Sequence, residues 1–86
     1  MKVHRLEATD VLTRDGETAV LVSGIVLRLS EISAAIYALT EDPVEVSRLA
    51  TDLESRFGAP EALTARQATD EAVAELIRHG LLRAGS

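Results

Sequence analysis

The dipeptide Asp15-Gly16 stands between two short β-prone runs near the start of the sequence. Asp-Gly favours a type I′ turn, because glycine accepts the positive φ that this turn requires, and such a turn joins two antiparallel strands. Ser23-Gly24 is a second turn candidate. The sequence therefore predicts a three-stranded meander. Its strands are expected at residues 11–14, 18–22 and 25–29, with residues 3–6 as a further candidate.

Three segments after these strands carry the spacing of amphipathic helices. Apolar residues recur three and four positions apart in each segment, which is the pattern of a helix with one buried face. The predicted buried residues are Ile32, Ala35, Ile36 and Leu39 in the first helix, Val46, Leu49, Ala50, Leu53 and Phe57 in the second, and Ala72, Val73, Leu76 and Ile77 in the third. Leu81 and Leu82 are expected to fold back on the core, and residues 83–86 to fray.

Capping residues and glycines mark the expected helix ends. The candidate starts are Ser30 for the first helix, Asp42-Pro43 with Glu45 for the second, and Thr64 with Gln67 for the third, for which Thr69 is a rival start. Gly58 and Gly80 fit the caps at which the second and third helices end. The order predicts an α+β fold of winged-helix-like character, a three-stranded antiparallel sheet followed by three helices, with residues 1–86 as one domain.

Composition narrows the classes of function. The 86 residues include no cysteine and only two aromatic residues, Tyr37 and Phe57. The two histidines, His4 and His79, lie far apart in sequence. No nucleophile–base pair, phosphate loop or metal-ligand spacing is visible. We therefore predict no catalytic residues, no metal site and no cofactor, so that the chain is not an enzyme.

The charge and the hydropathy of the chain limit the partners that we expect it to bind. The formal net charge of −5 opposes binding to a phosphate backbone, so nucleic acid is not an expected partner. No apolar run approaches the length of a membrane helix, and no signal-peptide stretch follows Met1. We expect a soluble, cytoplasmic protein that does not associate with a membrane.

The segment Ile25-Val26-Leu27-Arg28-Leu29 is apolar at both alternating sets of positions apart from Arg28. A strand with one face in water should alternate more clearly between apolar and polar residues. Two explanations remain open. The domain's own helices cover both faces of the strand, or an apolar slot beside it accepts an extended peptide as an additional strand, which is β-augmentation.

Taken in order, several short motifs of the chain resemble the PqqD-like family over about residues 10 to 82. The matching stretches are Asp15-Gly16-Glu17 through Val20-Leu21, Gly24 through Glu31, Ala34-Ala35-Ile36-Tyr37, the second-helix residues Val46, Leu49, Ala50 and Leu53 with Arg56-Phe57-Gly58, and Val73, Leu76 and Ile77 with Gly80-Leu81-Leu82. Ser30 stands where the family usually has asparagine, Ile32-Ser33 replaces threonine-glycine, and Tyr37 replaces tryptophan.

The resemblance implies a recognition element for ribosomally synthesised and post-translationally modified peptides (RiPPs), acting as a leader-peptide chaperone in natural product biosynthesis. It implies that the leader of a precursor peptide binds beside the third predicted strand, in a cleft with the third helix. The implied peptide-binding residues are Val26, Leu27, Arg28, Leu29, Ala72, Leu76 and His79. The implied protein partner is a modifying enzyme, such as a radical SAM enzyme, a leader peptidase or a cyclodehydratase. A winged-helix DNA-binding domain and a protein–protein or dimerisation module remain as alternatives.

Overall fold

The computed structural model describes residues 1–7, 10–22, 24–58 and 64–85, and it has the predicted α+β class. The strands are β1 (Lys2–Arg5), β2 (Asp10–Arg14), β3 (Glu17–Val22), β4 (Ile25–Leu29), β5 (Val44–Glu45) and β6 (Leu82–Gly85). The helices are α1 (Glu31–Leu39), α2 (Val46–Phe57) and α3 (Ala65–Arg78). The strands form two separate three-stranded antiparallel sheets, in the orders β2-β3-β4 and β5-β1-β6.

The sheet β2-β3-β4 is the predicted meander. Asp15 and Gly16 both have positive φ, 52° and 79°, as a type I′ turn requires, and the flanking residues Arg14 and Glu17 are paired. Gly24, with φ of 78°, stands between β3 and β4. Its predicted turn partner, Ser23, lies outside the described residues. The turn predicted at Asp15-Gly16 is therefore confirmed, and it brings Arg14 of β2 opposite Glu17 of β3.

The second sheet was not predicted, and it corrects two expectations. The predicted sheet and the three helices are present, but the expectation of a single sheet is wrong, because β1 pairs with β5 on one side and with β6 on the other. The prediction of a frayed end is also wrong for residues 83–85, which pair with β1 up to Lys2 opposite Gly85. Leu81 and Leu82, which are buried as predicted, bring this segment alongside β1.

The start of α2 also differs from the prediction. Val44 and Glu45 pair with Val3 and Lys2 as β5, so the helix begins at Val46 instead of near Asp42. Glu45 makes no side-chain cap, and its carboxylate lies 3.1 Å from the N-terminal ammonium group. The first helical N–H, of Val46, donates to the carbonyl of Met1. Contacts with the N-terminal strand therefore override the local capping signal.

The other two helices begin where their capping residues predicted. The Ser30 hydroxyl accepts a hydrogen bond from the N–H of Ser33, and Thr64 and Gln67 form the reciprocal capping box. At the end of α3 the N–H of Gly80 donates to the carbonyl of Ile77, and the N–H of Leu81 donates to that of Leu76. This is a Schellman motif, in which the φ of 76° at Gly80 turns the chain into β6.

One core cluster connects the helices with both sheets. Its buried residues are Val3, Val20, Ile36, Tyr37, Val46, Leu49, Leu53, Val73, Leu76, Leu81 and Leu82. Three predicted core residues are exposed instead: Ile32, Phe57 and Ile77. Ile32 and Phe57 stand in the first turn of α1 and the last turn of α2, where a helix extends past the residues that cover its centre. Ile77 follows the fully buried Leu76 on a neighbouring face of α3.

Helix α1 positions the meander. It makes the main helical contacts with β3 and β4, whereas α3 packs mostly on α2 and also on α1 and β6. One face of the meander therefore lies toward the core, where Val20 is buried, and the opposite face is turned outward. β2 and β4 are the two edges of this sheet.

Candidate functional site

Strand β4 has one face on the core and one face in solvent. Leu27 and Leu29 are half-buried and pack against the core cluster, whereas Val26 is 67% exposed and Arg28 is also exposed. The explanation in which the domain's own helices cover both faces of this strand is therefore wrong. The outward position of an apolar Val26 calls for another explanation.

The register of the meander determines which backbone groups of β4 are free. Val22 and Ile25 pair across the two-residue connection between β3 and β4, so they exchange hydrogen bonds with each other. Bonding alternates along a strand, so Leu27 and Leu29 also bond to β3. The N–H and C=O groups of Val26 and Arg28 point away from β3, toward the open edge.

The other hairpin gives an independent check of this alternation. Arg14 and Glu17 pair across the two-residue turn, so Glu17, Ala19 and Leu21 of β3 bond to β2. The intervening residues of β3, which face Leu29, Leu27 and Ile25, bond to β4. Each residue of β3 therefore bonds to only one of its two neighbouring strands. Both hairpins lead to the same set of bonded and free residues on β4.

The two edges of the meander are not equivalent. On β2 the outward N–H of Val11 donates to the carboxylate of Asp10, at 2.9 Å, which satisfies that donor. On β4 the outward N–H groups of Val26 and Arg28 meet no partner within the part of the chain that the structure describes. An extended segment that adds to this sheet finds two free residues, each with a donor and an acceptor, on β4.

The predicted helical residues span the range from core to surface. Ala72 is half-buried against the core cluster, Leu76 is only 2% exposed, and His79 is exposed. Leu76 therefore belongs to the core. Leu27, Leu29 and Ala72 pack against the same cluster that contains Leu76, whereas His79 lies outside it.

Opposite charges balance around the predicted site. The Arg28 guanidinium lies 3.1 Å from the Glu17 carboxylate. The Glu75 carboxylate lies 3.2 Å from the Arg78 guanidinium and 3.0 Å from the Nε2 atom of His79. All of these side chains are exposed to solvent, where such pairs contribute little to stability and exchange readily. The site therefore carries no concentrated charge of one sign.

Sequence reasoning missed an apolar patch on the outward face of the meander. Four side chains, here called the outer patch, line a shallow pocket of about 180 Å³ together with Asp10 and Val20. The outer patch consists of Leu12, Ala19, Leu21 and Val26. The register brings them together, since Leu12 faces Ala19 and Leu21 faces Val26 across the strands. Residues 10–14 do not alternate between apolar and polar, so no sequence signal marked Leu12, and only the strand pairing shows that the four side chains meet.

A wider groove of about 590 Å³ lies on the opposite side of the sheet, between β2 and α1. Arg5 lies over the ring of Tyr37, with 5.2 Å from its Cζ atom to the ring centre. The Tyr37 hydroxyl donates to the carbonyl of Leu6 at 2.9 Å. These contacts hold Arg5 and Leu6 against α1.

Two further properties concern the described ranges as a whole. No group of three or more His, Cys, Asp or Glu side chains among them could hold a metal ion. No helix within them is long and apolar enough to cross a membrane.

The family to which the chain belongs follows from comparison with family models. The model of coenzyme PQQ synthesis protein D (PqqD) matches residues 11–82. This chain belongs to the PqqD family. PqqD proteins are RiPP recognition elements, non-catalytic accessory proteins that interact with a precursor peptide and a biosynthetic enzyme. The PqqD match includes β3, β4 and all three helices, and β1 lies before it. No curated protein and no solved structure matches this PqqD chain.

Proposed function

We propose that this chain binds the leader of a ribosomally synthesised precursor peptide by β-augmentation at the open edge of β4. Membership of the PqqD family places its role in PQQ or RiPP biosynthesis. The observation that carries the proposal is the pair of outward-directed residues Val26 and Arg28. Main-chain groups that are already extended and unpaired contribute affinity to an added strand, and side chains along the edge contribute specificity.

Half-buried apolar residues form the inner wall of the proposed site. Leu27 and Leu29 face the core side of β4, and Ala72 packs against the same core cluster. A peptide residue beside Leu27 would point its side chain toward this inner side and bury apolar surface there. Of the α3 residues in the proposed set, His79, the C-cap, is the exposed one, and its Nε2 atom lies 3.0 Å from the Glu75 carboxylate.

The proposed role is presentation of the leader without chemistry on it. The bound leader keeps the rest of the precursor free for a modifying enzyme, for which a radical SAM enzyme, a leader peptidase and a cyclodehydratase are the candidate classes. The chain supplies no cofactor in this scheme. The reaction takes place in the partner.

Binding of DNA is a weaker candidate. A recognition helix needs a stripe of free basic residues, because phosphate contacts supply most of the affinity. The two arginines of α3 are already paired, Arg66 with Asp70 and Arg78 with Glu75. The net charge of −5 adds a repulsive field.

Amide hydrogen exchange measured by NMR tests the proposal. The ligand is a synthetic peptide with the sequence of the cognate leader segment. In the free protein the amides of Leu27 and Leu29 should exchange slowly, since they are bonded to β3, and those of Val26 and Arg28 should exchange fast. Binding should slow exchange at Val26 and Arg28.

The β2 edge provides the control in the same spectrum. Val11 and Thr13 direct their amides to that edge, so exchange at these residues should not change on binding. Protection at Val11 and Thr13 in place of Val26 and Arg28 would show that the peptide adds to the wrong strand for this proposal. Lack of any binding by the cognate leader would refute the proposed function itself.

A further inference from the structure

The outer patch bears on which peptides the chain accepts. Leu12 is 62% exposed and Val26 is 67% exposed, and both stand on the outward face of a sheet whose other face is packed. Single exposed apolar residues are ordinary, but here cross-strand pairing places Leu21 and Ala19 between them. Apart from Asp10, which faces Leu21 across the strands, the outward face is apolar at this end of the sheet. At the other end it is polar, with Arg14, Glu17 and Arg28.

Val26 belongs to this patch and also to the open edge. Its N–H and C=O groups point along the sheet, and its side chain stands on the outward face. When a strand is added to β4, the residue beside Val26 has its side chain on the same face, about 5 Å away. That side chain extends the row formed by Leu21 and Val26.

We infer that this chain selects leader segments by side chains on both faces of the added strand, and that Val26 selects an apolar residue on the outer face. The inference rests on the proposed function. Beside Leu27 and Leu29 the peptide side chains point inward and are apolar. Beside Arg28 the side chain points outward, next to the Arg28–Glu17 ion pair, and is polar.

The ligand is therefore an extended segment with three apolar residues in four consecutive positions, the polar one beside Arg28. A strand with only one buried face would alternate strictly between apolar and polar residues. The two adjacent apolar residues, beside Val26 and Leu27, distinguish a peptide that buries side chains on both faces from one that buries a single face. The Arg28–Glu17 pair is balanced in charge, so the polar position accepts either sign.

The peptide is a better occupant of the outer patch than a second copy of the chain. Two copies each carry a net charge of −5 and repel one another. Four side chains also provide much less area than the roughly 800 Å² per partner that stable complexes bury. The peptide needs less contact area on the outer patch, because its main chain already bonds to β4 and only one of its side chains has to reach Val26.

A display selection of random decapeptides on the immobilised chain tests this without knowledge of the cognate leader. The enriched sequences should share the pattern of three apolar residues in four. The affinity of one selected peptide is then measured by fluorescence anisotropy for the wild type, for Val26→Thr and for the control Leu12→Thr. Both substitutions replace outward apolar residues of similar exposure, but Leu12 stands on β2, which β3 and β4 separate from the peptide.

Val26→Thr should weaken binding about three- to tenfold, because one buried methylene changes an equilibrium about fourfold. Leu12→Thr should leave the affinity within about twofold of the wild type. Replacing the outward apolar residue of the peptide by serine should abolish the difference between wild type and Val26→Thr. The serine-substituted peptide also tests the inference if Val26→Thr folds poorly. It should bind the wild-type chain more weakly than the selected peptide does.

The outcomes separate the two proposals. If peptides are enriched without the pattern, and Val26→Thr binds as tightly as the wild type, the inference is wrong and the proposed function stands. If Leu12→Thr weakens binding as much as Val26→Thr, the patch acts as a whole and the assignment to Val26 is wrong. Sedimentation equilibrium that shows a dimer lost in Val26→Thr would assign the patch to a second copy. Failure to enrich any peptide would overturn both proposals.

Discussion

Proline substitutions at adjacent positions of β4 should have opposite effects. Proline lacks the backbone N–H, so its cost depends on what that N–H binds. At Leu27 the N–H bonds to β3, and at Val26 it points to the open edge. Leu27→Pro should damage the fold, whereas Val26→Pro should damage peptide binding.

The magnitude for Leu27→Pro follows from three losses. The ladder bond contributes about 0.5–1.5 kcal/mol, and the carbonyl of Val20 left without its partner costs a further 1–3 kcal/mol or so. Loss of the half-buried leucine side chain costs about 1 kcal/mol more, half of the value for full burial. The total, about 2.5–5.5 kcal/mol, is a large part of the roughly 5–15 kcal/mol by which a domain is stable.

Val26→Pro breaks no ladder bond in the free protein and removes a side chain that is mostly exposed. It should lower the free energy of unfolding by about 1 kcal/mol, the scale of moderate backbone strain. In the complex it removes one hydrogen bond and places the ring against the peptide, so affinity should fall about tenfold or more.

Urea denaturation followed by circular dichroism measures the first quantity, and calorimetry with the leader segment measures the second. Val26→Ala is the control, since it keeps the N–H and removes most of the side chain. An unfolded Val26→Pro together with a stable Leu27→Pro would show that the hydrogen-bond alternation is the reverse of the one derived from the register. Wild-type affinity in a folded Val26→Pro would exclude this edge as the peptide site.

Three further predictions concern other parts of the chain. Leu53→Ala should lower the free energy of unfolding by about 2–5 kcal/mol in urea denaturation, because Leu53 is buried in the core cluster; an unchanged transition would contradict its place there. Deletion of residues 83–86 should lower the melting temperature by several degrees, because β1 loses a paired neighbour, whereas a frayed end would make the deletion neutral. The purified chain alone should leave its precursor peptide unmodified in mass spectrometry, and a modification in that sample would contradict the proposed non-catalytic role.

Local signals predicted the parts of the fold that depend on neighbouring residues. Asp15-Gly16 fixes a turn through its own backbone preferences, and Ser30 and Thr64 cap helices through bonds to residues three positions away. The sheet β5-β1-β6 joins the two ends of the chain, with Lys2 opposite both Glu45 and Gly85. Main-chain pairing over such distances leaves no periodic side-chain pattern, so the sequence could not show it.

The candidate site divides in the same way. The unusual apolar character of residues 25–29 indicated the strand, and its cause, an uncovered outward face, needed the positions of the helices. Which of Val26 and Leu27 has the free amide depends on a register shared by three strands, which no single segment encodes. The role of Leu76 could not be read either, because helical spacing gives its stripe but not the depth at which the stripe lies.

An open edge is a liability for a small protein, because two unpaired edges can join and start aggregation. On β2 a carboxylate occupies the outward amide of Val11, so this edge is partly blocked. On β4 no such block is present among the described residues, and the neighbouring outward face is apolar, which increases the tendency to associate. The net charge of −5 opposes association between copies without opposing an uncharged or basic peptide. A chain that blocks one edge, leaves the other open and repels its own copies combines the properties that binding of a separate strand requires.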